Sequence, residues 1–519
     1  MDLLERDLRP LSPPGAPGSK GGMGRVLAAL VVVLAALTGA RVAFLALGGL
    51  DLSPDEAHYW EWSRRLDLSY YSKGPLVAYL IRALTSVFGD SAVGIRLGAV
   101  LLSIAGSLAI YRLGVRAWGD PRAGFLAVVG LQITPLFWAG SLLLTIDPPF
   151  LVAWVVALLC LYQALRDGSR VAWLGAGLAV GIGLLAKYTM LFVLPGLLLY
   201  AWRAPEARRQ LVRPAAWAAA ALALALFTPV VVWNLGHGWV SARHVASQGR
   251  GAGFEWDEPL AFLGSQLLVL TPLVAGLLGW ALWVGIREGL VRGREPYRFL
   301  VAFAAPILGF YALVSLQGKV QANWAAAAYP SLAVIAAGAL LERRARLGEA
   351  GRRAQTRLLA ATAGCALVLV GFGHAMGPLG VPPRLDPTAR LRGWAELGAA
   401  VTAAWQAMPT PARTFLVADR YQVTSELAFY GPRGAPAYNV NLGRRLNQYD
   451  FWQGPNARRG WDAIVVQDGT GELDERVGQA FERIEGPVVV EIRRRERPFV
   501  LFRGYGFRGF APPAGAATY

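Results

Sequence analysis

What constrains this chain most is the recurrence, from Val26 to about Met376, of apolar runs long enough to cross a bilayer. A hydrocarbon core of ~30 Å needs roughly 20 apolar residues in a row. Backbone polar groups inside that core must be satisfied within the segment, so each run is expected to be helical. About eleven spans are expected on this pattern, near residues 25–47, 91–115, 122–141, 147–165, 171–187, 188–202, 214–234, 259–286, 298–316, 322–341 and 357–377. With 55% hydrophobic and 16% charged residues, an ordinary soluble domain is excluded. The expected fold class is an α-helical polytopic membrane protein.

The short loops set the orientation. With a cytoplasmic N-terminus, the inner loops carry Arg116 and Arg122, then Arg166 and Arg170, then Arg203, Arg208, Arg209 and Arg213. Two later inner loops, around 287–298 and 343–357, are equally basic, whereas the outer loops hold most of the acids. This is the positive-inside pattern. The net charge of +17 (51 basic minus 34 acidic) lies mostly in those inner loops. Its expected partners are therefore lipid headgroups and not nucleic acid. Cys160 and Cys365 fall inside expected spans, which leaves no disulfide framework and no zinc-site spacing. The first apolar run follows Lys20 and Arg25 and is longer than a signal-peptide core, as an uncleaved signal anchor would be. Residues 1–22, rich in Pro and Gly, are expected to be a disordered cytoplasmic tail.

Three regions follow: that tail, a transmembrane domain over 23–378 with an outer loop at 51–90, and a small α/β domain over 379–519. In the last, a helix is expected at 387–407 and strands near 413–418, 462–467, 487–493 and 498–503. An odd number of spans puts this domain on the outer side. Within the outer loop, Leu76–Phe88 is apolar but short and interrupted by Arg82, which predicts an amphipathic helix lying along the interface. Ser53-Pro54 predicts a helix start that places Asp55, His58 and Trp62 on one face.

The chemistry-bearing residues concentrate at the outer ends of the spans. Asp55-Glu56 follows the first span directly, and Tyr70-Tyr71-Ser72-Lys73-Gly74-Pro75 precedes the second. A carboxylate at a low-dielectric boundary can take a proton from an attacking hydroxyl, although Asp55 near a helix start also suits a cap, and Glu56 suits the helix dipole. Asp147 stands before Pro148-Pro149 at the same face, where a cap is again the simple alternative. Lys73 and Lys319 are rare cations on that face, and together they suit an anionic, lipid-linked ligand. The outer loop from Asn234 to Pro259, with Arg243 and His244, is a candidate lid or headgroup clamp. His58, His237 and His244 lack the spacing of a metal motif, so neither a metal nor a cofactor is expected. Gly177, Gly181 and Gly183 lie within a span, where close helix packing explains them. Trp60, Trp62, Tyr70 and Tyr71 fit either an interfacial aromatic belt or stacking on sugar rings.

Taken together, Asp55-Glu56, Tyr71-Ser72-Lys73-Gly74-Pro75, Thr145-Ile146-Asp147-Pro148, Leu185-Ala186-Lys187-Tyr188, Trp233-Asn234 through Trp239, and Gly318-Lys319 through Asn323-Trp324 resemble the integral-membrane glycosyltransferases of the GT-C type. The resemblance is to the group that includes protein O-mannosyltransferases and the lipid A aminoarabinose transferase. It implies transfer of a sugar from a polyprenyl-phosphate donor to a lipid, glycan or protein acceptor, with inversion, on the outer side of the cytoplasmic (inner) membrane. It further implies Asp55 as base or acceptor-orienting group, with Glu56 and Asp147 as the other catalytic candidates. Lys73 and Lys319 would stabilise the leaving phosphate, Arg243 would assist, and His58, Tyr71 and Asn323 complete the substrate-binding candidates. In the lipid A branch an acidic residue often precedes the lysine matched by Lys73; here it is Ser72. The rival from another class is a transporter or lipid flippase, which usually keeps its ionisable groups near the midplane on broken helices.

Overall fold

The computed structural model describes residues 20–248, 256–376, 379–469, 472–493 and 495–511. The tail expected over 1–22 lies outside them as far as residue 19, as does the stretch 249–255 of the outer loop expected over 234–259. Among the described residues, eight helices are long and apolar enough to cross a membrane: Gly22–Leu47, Ala92–Trp118, Asp147–Asp167, Pro214–Gly236, Pro272–Val291, Tyr297–Val314, Trp324–Arg346 and Glu349–Ala375. Leu76–Phe88 and Arg170–Ala186 are shorter apolar helices.

Two of the expected spans are each divided by a Thr-Pro step. Over 122–141 the helix Pro121–Gln132 stops, and a separate turn of helix runs over Pro135–Gly140. Over 259–286 the helices Asp257–Leu270 and Pro272–Val284 are parted at Thr271. A proline pushes the residue before it out of the helical region, and Thr134 and Thr271 have ψ of 149° and 148°. At Thr271 φ is +71°, a conformation rarely taken by a β-branched residue. The segment 188–202 is likewise a 3-10 turn, Tyr188–Phe192, followed by the helix Val193–Arg203.

The chain forms two compact units, and these do not follow its linear order. The first comprises 1–43, 99–231 and 248–372; the second comprises 44–98, 232–247 and 373–519. In the first unit, glycine permits close helix packing. A Cβ on Gly177 would lie 2.4 Å from the carbonyl oxygen of Ala219, and one on Gly181 would lie 2.6 Å from Leu226. Only glycine lets the helices Arg170–Ala186 and Pro214–Gly236 approach this closely.

The second unit holds the outer loop together with the C-terminal chain. Helix Leu76–Phe88 buries Val77, Ala78, Ile81 and Thr85, one face at helical spacing, as its amphipathic pattern requires. The C-terminal chain forms a five-stranded sheet of β1 (Thr414–Ala418), β2 (Ala437–Asn439), β3 (Asp462–Asp468), β4 (Phe481–Val490) and β5 (Phe499–Phe507), in the order β2-β1-β3-β5-β4. β2, β1 and β3 are parallel, and β5 and β4 add antiparallel. All five residues of β1 are buried, the pattern of a central strand covered on both faces. Leu416, Ile464 and Leu501 face the helices Trp394–Gln406 and Tyr421–Tyr430, whereas Phe415, Val465 and Phe502 pack on the opposite side. The helix expected at 387–407 starts with a 3-10 turn at Pro387–Leu391.

Candidate active site

In the second unit the outer loop begins with a capping box. The Ser53 hydroxyl accepts from the Glu56 amide at 3.3 Å, the Glu56 carboxylate accepts from the Ser53 amide at 3.0 Å, and Pro54 fills the first helical position of Pro54–Arg64. Because Ser53 caps the helix, the carboxylate of Asp55 is not consumed by backbone donors. Asp55 is exposed, and its Oδ1 accepts a 3.2 Å hydrogen bond from the Tyr421 hydroxyl. Among the described residues Oδ2 has no hydrogen-bond donor. Desolvation by the surrounding protein raises the Asp55 pKa above the usual carboxylate value. The Tyr421 bond and the charges of Lys73 and Arg390 oppose that rise, and Glu56 adds to it.

Glu56 is placed differently. It is fully buried and held by Arg96, whose Nε and Nη2 donate to its two oxygens at 3.1 and 2.8 Å. Arg96 also donates to the carbonyls of Leu50 and Asp51 at 3.0 and 2.6 Å, fixing the chain just before the cap. Glu56 thus braces the loop that presents Asp55.

His58 and Trp62 follow on the buried face of the same helix, and Trp62 Nε1 donates to His58 Nε2 at 3.1 Å. Burial lowers the His58 pKa to about 3, so the ring is neutral. Glu61 is buried too. Its pKa is raised to about 7 by burial, against the opposing pull of Arg65 and of the hydroxyl of Tyr449, which bonds it. The aromatic residues of this loop serve neither as a belt nor as an open stacking surface. Trp62 and Tyr70 are fully buried and stacked on each other at 4.2 Å, and Tyr71 is buried with its ring 4.8 Å from His244. The backbone amide of Tyr71 donates to Gln448 Oε1 at 2.7 Å, tying the loop to the C-terminal chain. Lys73 is half-buried, and its carbonyl accepts from the Tyr70 amide at 3.1 Å. Its charge acts on both Asp55 and His244. His244 is buried with a pKa lowered to about 3, first by burial and then by Arg445 and Lys73, while its neighbour Arg243 is exposed.

The first unit holds the remaining candidates. Asp147 opens the helix Asp147–Asp167, but its carboxylate is not spent on the helix end. Lys187 Nζ lies 2.7 Å from its Oδ1, and Asn323 Nδ2 donates to its Oδ2 at 2.6 Å. Lys187 adopts an extended conformation as it closes the helix Arg170–Ala186, and Asn323 precedes the 3-10 turn Trp324–Ala328. Lys319 is exposed and makes no ion pair with a described residue. Among the described residues no three His, Cys, Asp or Glu side chains are grouped to hold a metal ion.

Sequence reasoning missed three functional contacts: the pairing of Lys187 with Asp147, the bracing of Glu56 by Arg96, and the Tyr421 bond to Asp55. A signal existed for Lys187, a lone cation between two apolar runs. None existed for Tyr421, 366 residues from its partner. What the second unit offers chemically is an accessible carboxylate with one bonded and one unbonded oxygen, and an ammonium group within electrostatic range. Such a set can accept a proton from a hydroxyl and neutralise an adjacent anion.

Residues 72–233 match the dolichyl-phosphate-mannose-protein mannosyltransferase family. Among solved structures, ArnT from Cupriavidus metallidurans bound to undecaprenyl phosphate superposes with a TM-score of 0.65 at 18% identity, covering 91% of this chain and 97% of that one. The archaeal oligosaccharyltransferase AglB from Archaeoglobus fulgidus gives 0.52 at 14% identity, covering 85% and 69%. The chain has the GT-C fold. The GT-C resemblance read from the short motifs therefore extends along nearly the whole chain. Among curated proteins, a lipid A galacturonosyltransferase of Rhizobium johnstonii is 31% identical over 309 residues, which is 57% of this chain and 62% of that protein. An undecaprenyl phosphate-alpha-4-amino-4-deoxy-L-arabinose arabinosyl transferase of Pseudomonas aeruginosa is 29% identical over 325 residues. That match spans 57% of this chain and 56% of the relative, so the chain spans a little over half the length of these two proteins. With its many apolar helices, this GT-C chain is a multi-pass membrane protein.

Proposed function

We propose that this protein is a glycosyltransferase of the cytoplasmic membrane that moves a sugar from a polyprenyl-phosphate carrier to an acceptor on the extracytoplasmic side, with inversion at the sugar carbon. The observation that carries this reading is Asp55, an accessible carboxylate with a free oxygen, on a braced helix start beside Lys73. In the proposed step a lone pair of the acceptor oxygen forms a bond to the anomeric carbon while the bond from that carbon to the carrier phosphate breaks. The acceptor proton passes to Asp55, and the departing electron pair stays on the phosphate, where the Lys73 ammonium offsets the charge. Glu56 and Arg96 keep Asp55 in place. The two buried histidines, neutral across the physiological range, bind or shape the site and do not act as acids. Tyr71 shapes the same region, and exposed Arg243 is proposed to meet an anionic part of a substrate.

Asp147 has both oxygens engaged, which suits holding Lys187 and Asn323 in position better than taking a proton. Lys319 is proposed as a further cation for the carrier headgroup. Support for the lipid-linked donor comes from the relatives, whose names specify lipid A and undecaprenyl phosphate substrates. The N-terminal tail, the membrane domain over 23–378 and the outer α/β domain over 379–519 are proposed as its topological regions. The test is release of polyprenyl phosphate from a panel of polyprenyl-phosphate sugars by the purified protein in lipid. Asp55-dependent release is expected, and Asp55→Asn is expected to bind donor without turnover. Normal turnover by Asp55→Asn excludes Asp55 as the base. Carrier movement across the bilayer without bond cleavage would instead favour a flippase.

A further inference from the structure

The helix Tyr421–Tyr430 lies along the four residues that lead into the outer-loop helix, and three contacts fix it there. The Leu52 amide donates to the Tyr430 hydroxyl at 2.7 Å, the Ser425 hydroxyl donates to the Pro54 carbonyl at 3.3 Å, and the Tyr421 hydroxyl donates to Asp55 Oδ1 at 3.2 Å. Val423 and Leu427, both buried, anchor the opposite side of the helix in the core beneath the sheet. The order is antiparallel: 430 meets 52, 425 meets 54 and 421 meets 55. Tyr421 therefore reaches Asp55 as the last rung of a built ladder. Its ring also rests against His58, with centroids 4.9 Å apart.

We propose that Tyr421, supplied by the C-terminal chain, is a positioning residue for the proton-accepting group: it binds Oδ1 of Asp55 and reserves Oδ2 for the acceptor. This rests on the reading of Asp55 given above. A phenol suits the task because it stays a donor. Burial and the neighbouring Asp55 charge both raise the Tyr421 pKa further above its ordinary value. A serine in its place would be too short to span the gap. A lysine would add charge where Lys73 and Arg390 already act on Asp55, opposed only by Glu56. The hydrogen bond stabilises the carboxylate, so its loss raises the pKa of Asp55 still further and leaves less of the basic form at neutral pH.

Two measurements on the full-length protein in lipid nanodiscs test this. The first is the pH dependence of carbodiimide labelling of Asp55, read by mass spectrometry, in wild type and Tyr421→Phe. The labelling midpoint is expected to rise by about half a pH unit or more. The second is the pH profile of polyprenyl-phosphate release. Its acidic limb is expected to move up by the same amount, with kcat lowered about tenfold at pH 7 and the donor KM unchanged. Ser425→Ala is the control: it removes a rung of the ladder but should move neither midpoint nor limb. An unchanged labelling midpoint in Tyr421→Phe overturns the inference. So does an equal shift in Ser425→Ala, which would mark a merely structural role. Should Asp55→Asn turn over normally while the labelling midpoint still moves, the base assignment fails and the Tyr421 contact stands.

Discussion

Arg96 carries a prediction that separates bracing from chemistry. Its guanidinium is 2% exposed and its partner Glu56 is fully buried. Removing one member of a buried pair strands the other charge at a cost of about 3–5 kcal/mol. In Arg96→Ala the buried Glu56 carboxylate keeps only the Ser53 amide, and the carbonyls of Leu50 and Asp51 lose their donor as well. Arg96→Ala should therefore sit at the upper end of that range. Glu56→Gln is milder, at about 1.5–3 kcal/mol, because Arg96 retains both carbonyls and the amide can still accept. The double variant should cost less than the sum, since neither charge is then stranded. In thermal melts of the detergent-solubilised protein, Arg96→Ala should lower the midpoint on the order of 10 °C and Glu56→Gln by about half as much. A midpoint for Arg96→Ala within about 2 °C of wild type would refute the reasoning, because a stranded buried carboxylate cannot be that cheap. Strict additivity in the double variant would equally deny the coupling.

Two further outcomes follow from the fold. The Glu61 pKa of about 7 lies above its ordinary 4.5, so its neutral form favours the native state, and that advantage fades as pH rises from about 4.5 through 7. Glu61→Gln should accordingly stabilise the protein by about 3 kcal/mol at pH 8 and leave it nearly unchanged at pH 4; melts at the two pH values giving the same difference would contradict this. Gly177→Val should destabilise by about 1–3 kcal/mol or more, since its Cβ would meet the Ala219 carbonyl at 2.4 Å, whereas Gly276→Val, in open space, should leave the melting midpoint close to wild type.

Much of the fold was legible because bilayer length and side-chain period are read directly from residues. The short amphipathic helix Leu76–Phe88 and the Ser53-Pro54 helix start both follow from local rules. The breaks within spans were less legible. Thr-Pro occurs at 134–135, 228–229 and 271–272; two of these steps interrupt a helix, while Pro214–Gly236 runs through the third, with the Thr228 hydroxyl bonded to the Leu224 carbonyl. Identical dipeptides thus have different outcomes, and only packing decides which. The short edge strand β2 and the helix Tyr421–Tyr430 escaped notice because neither carries a strong period. Asp55, Lys73 and Asp147 were found because charge is rare beside apolar spans. Their partners Tyr421, Lys187 and Asn323 are chosen by tertiary contacts across 40 to 366 residues, which no local pattern encodes.

The union of residues 44–98 with 373–519 in one compact unit has a consequence for biosynthesis. The loop bearing Asp55 emerges from the ribosome early, but the tyrosine that holds it is made hundreds of residues later. The site thus matures only after the last stretch of chain has been delivered to the same side of the membrane. Until then a half-made protein carries the loop without its clamp. For the same reason a chimera that exchanges the C-terminal portion alone would join two surfaces with no shared history, whereas one that moves the loop and the C-terminal portion together keeps them matched.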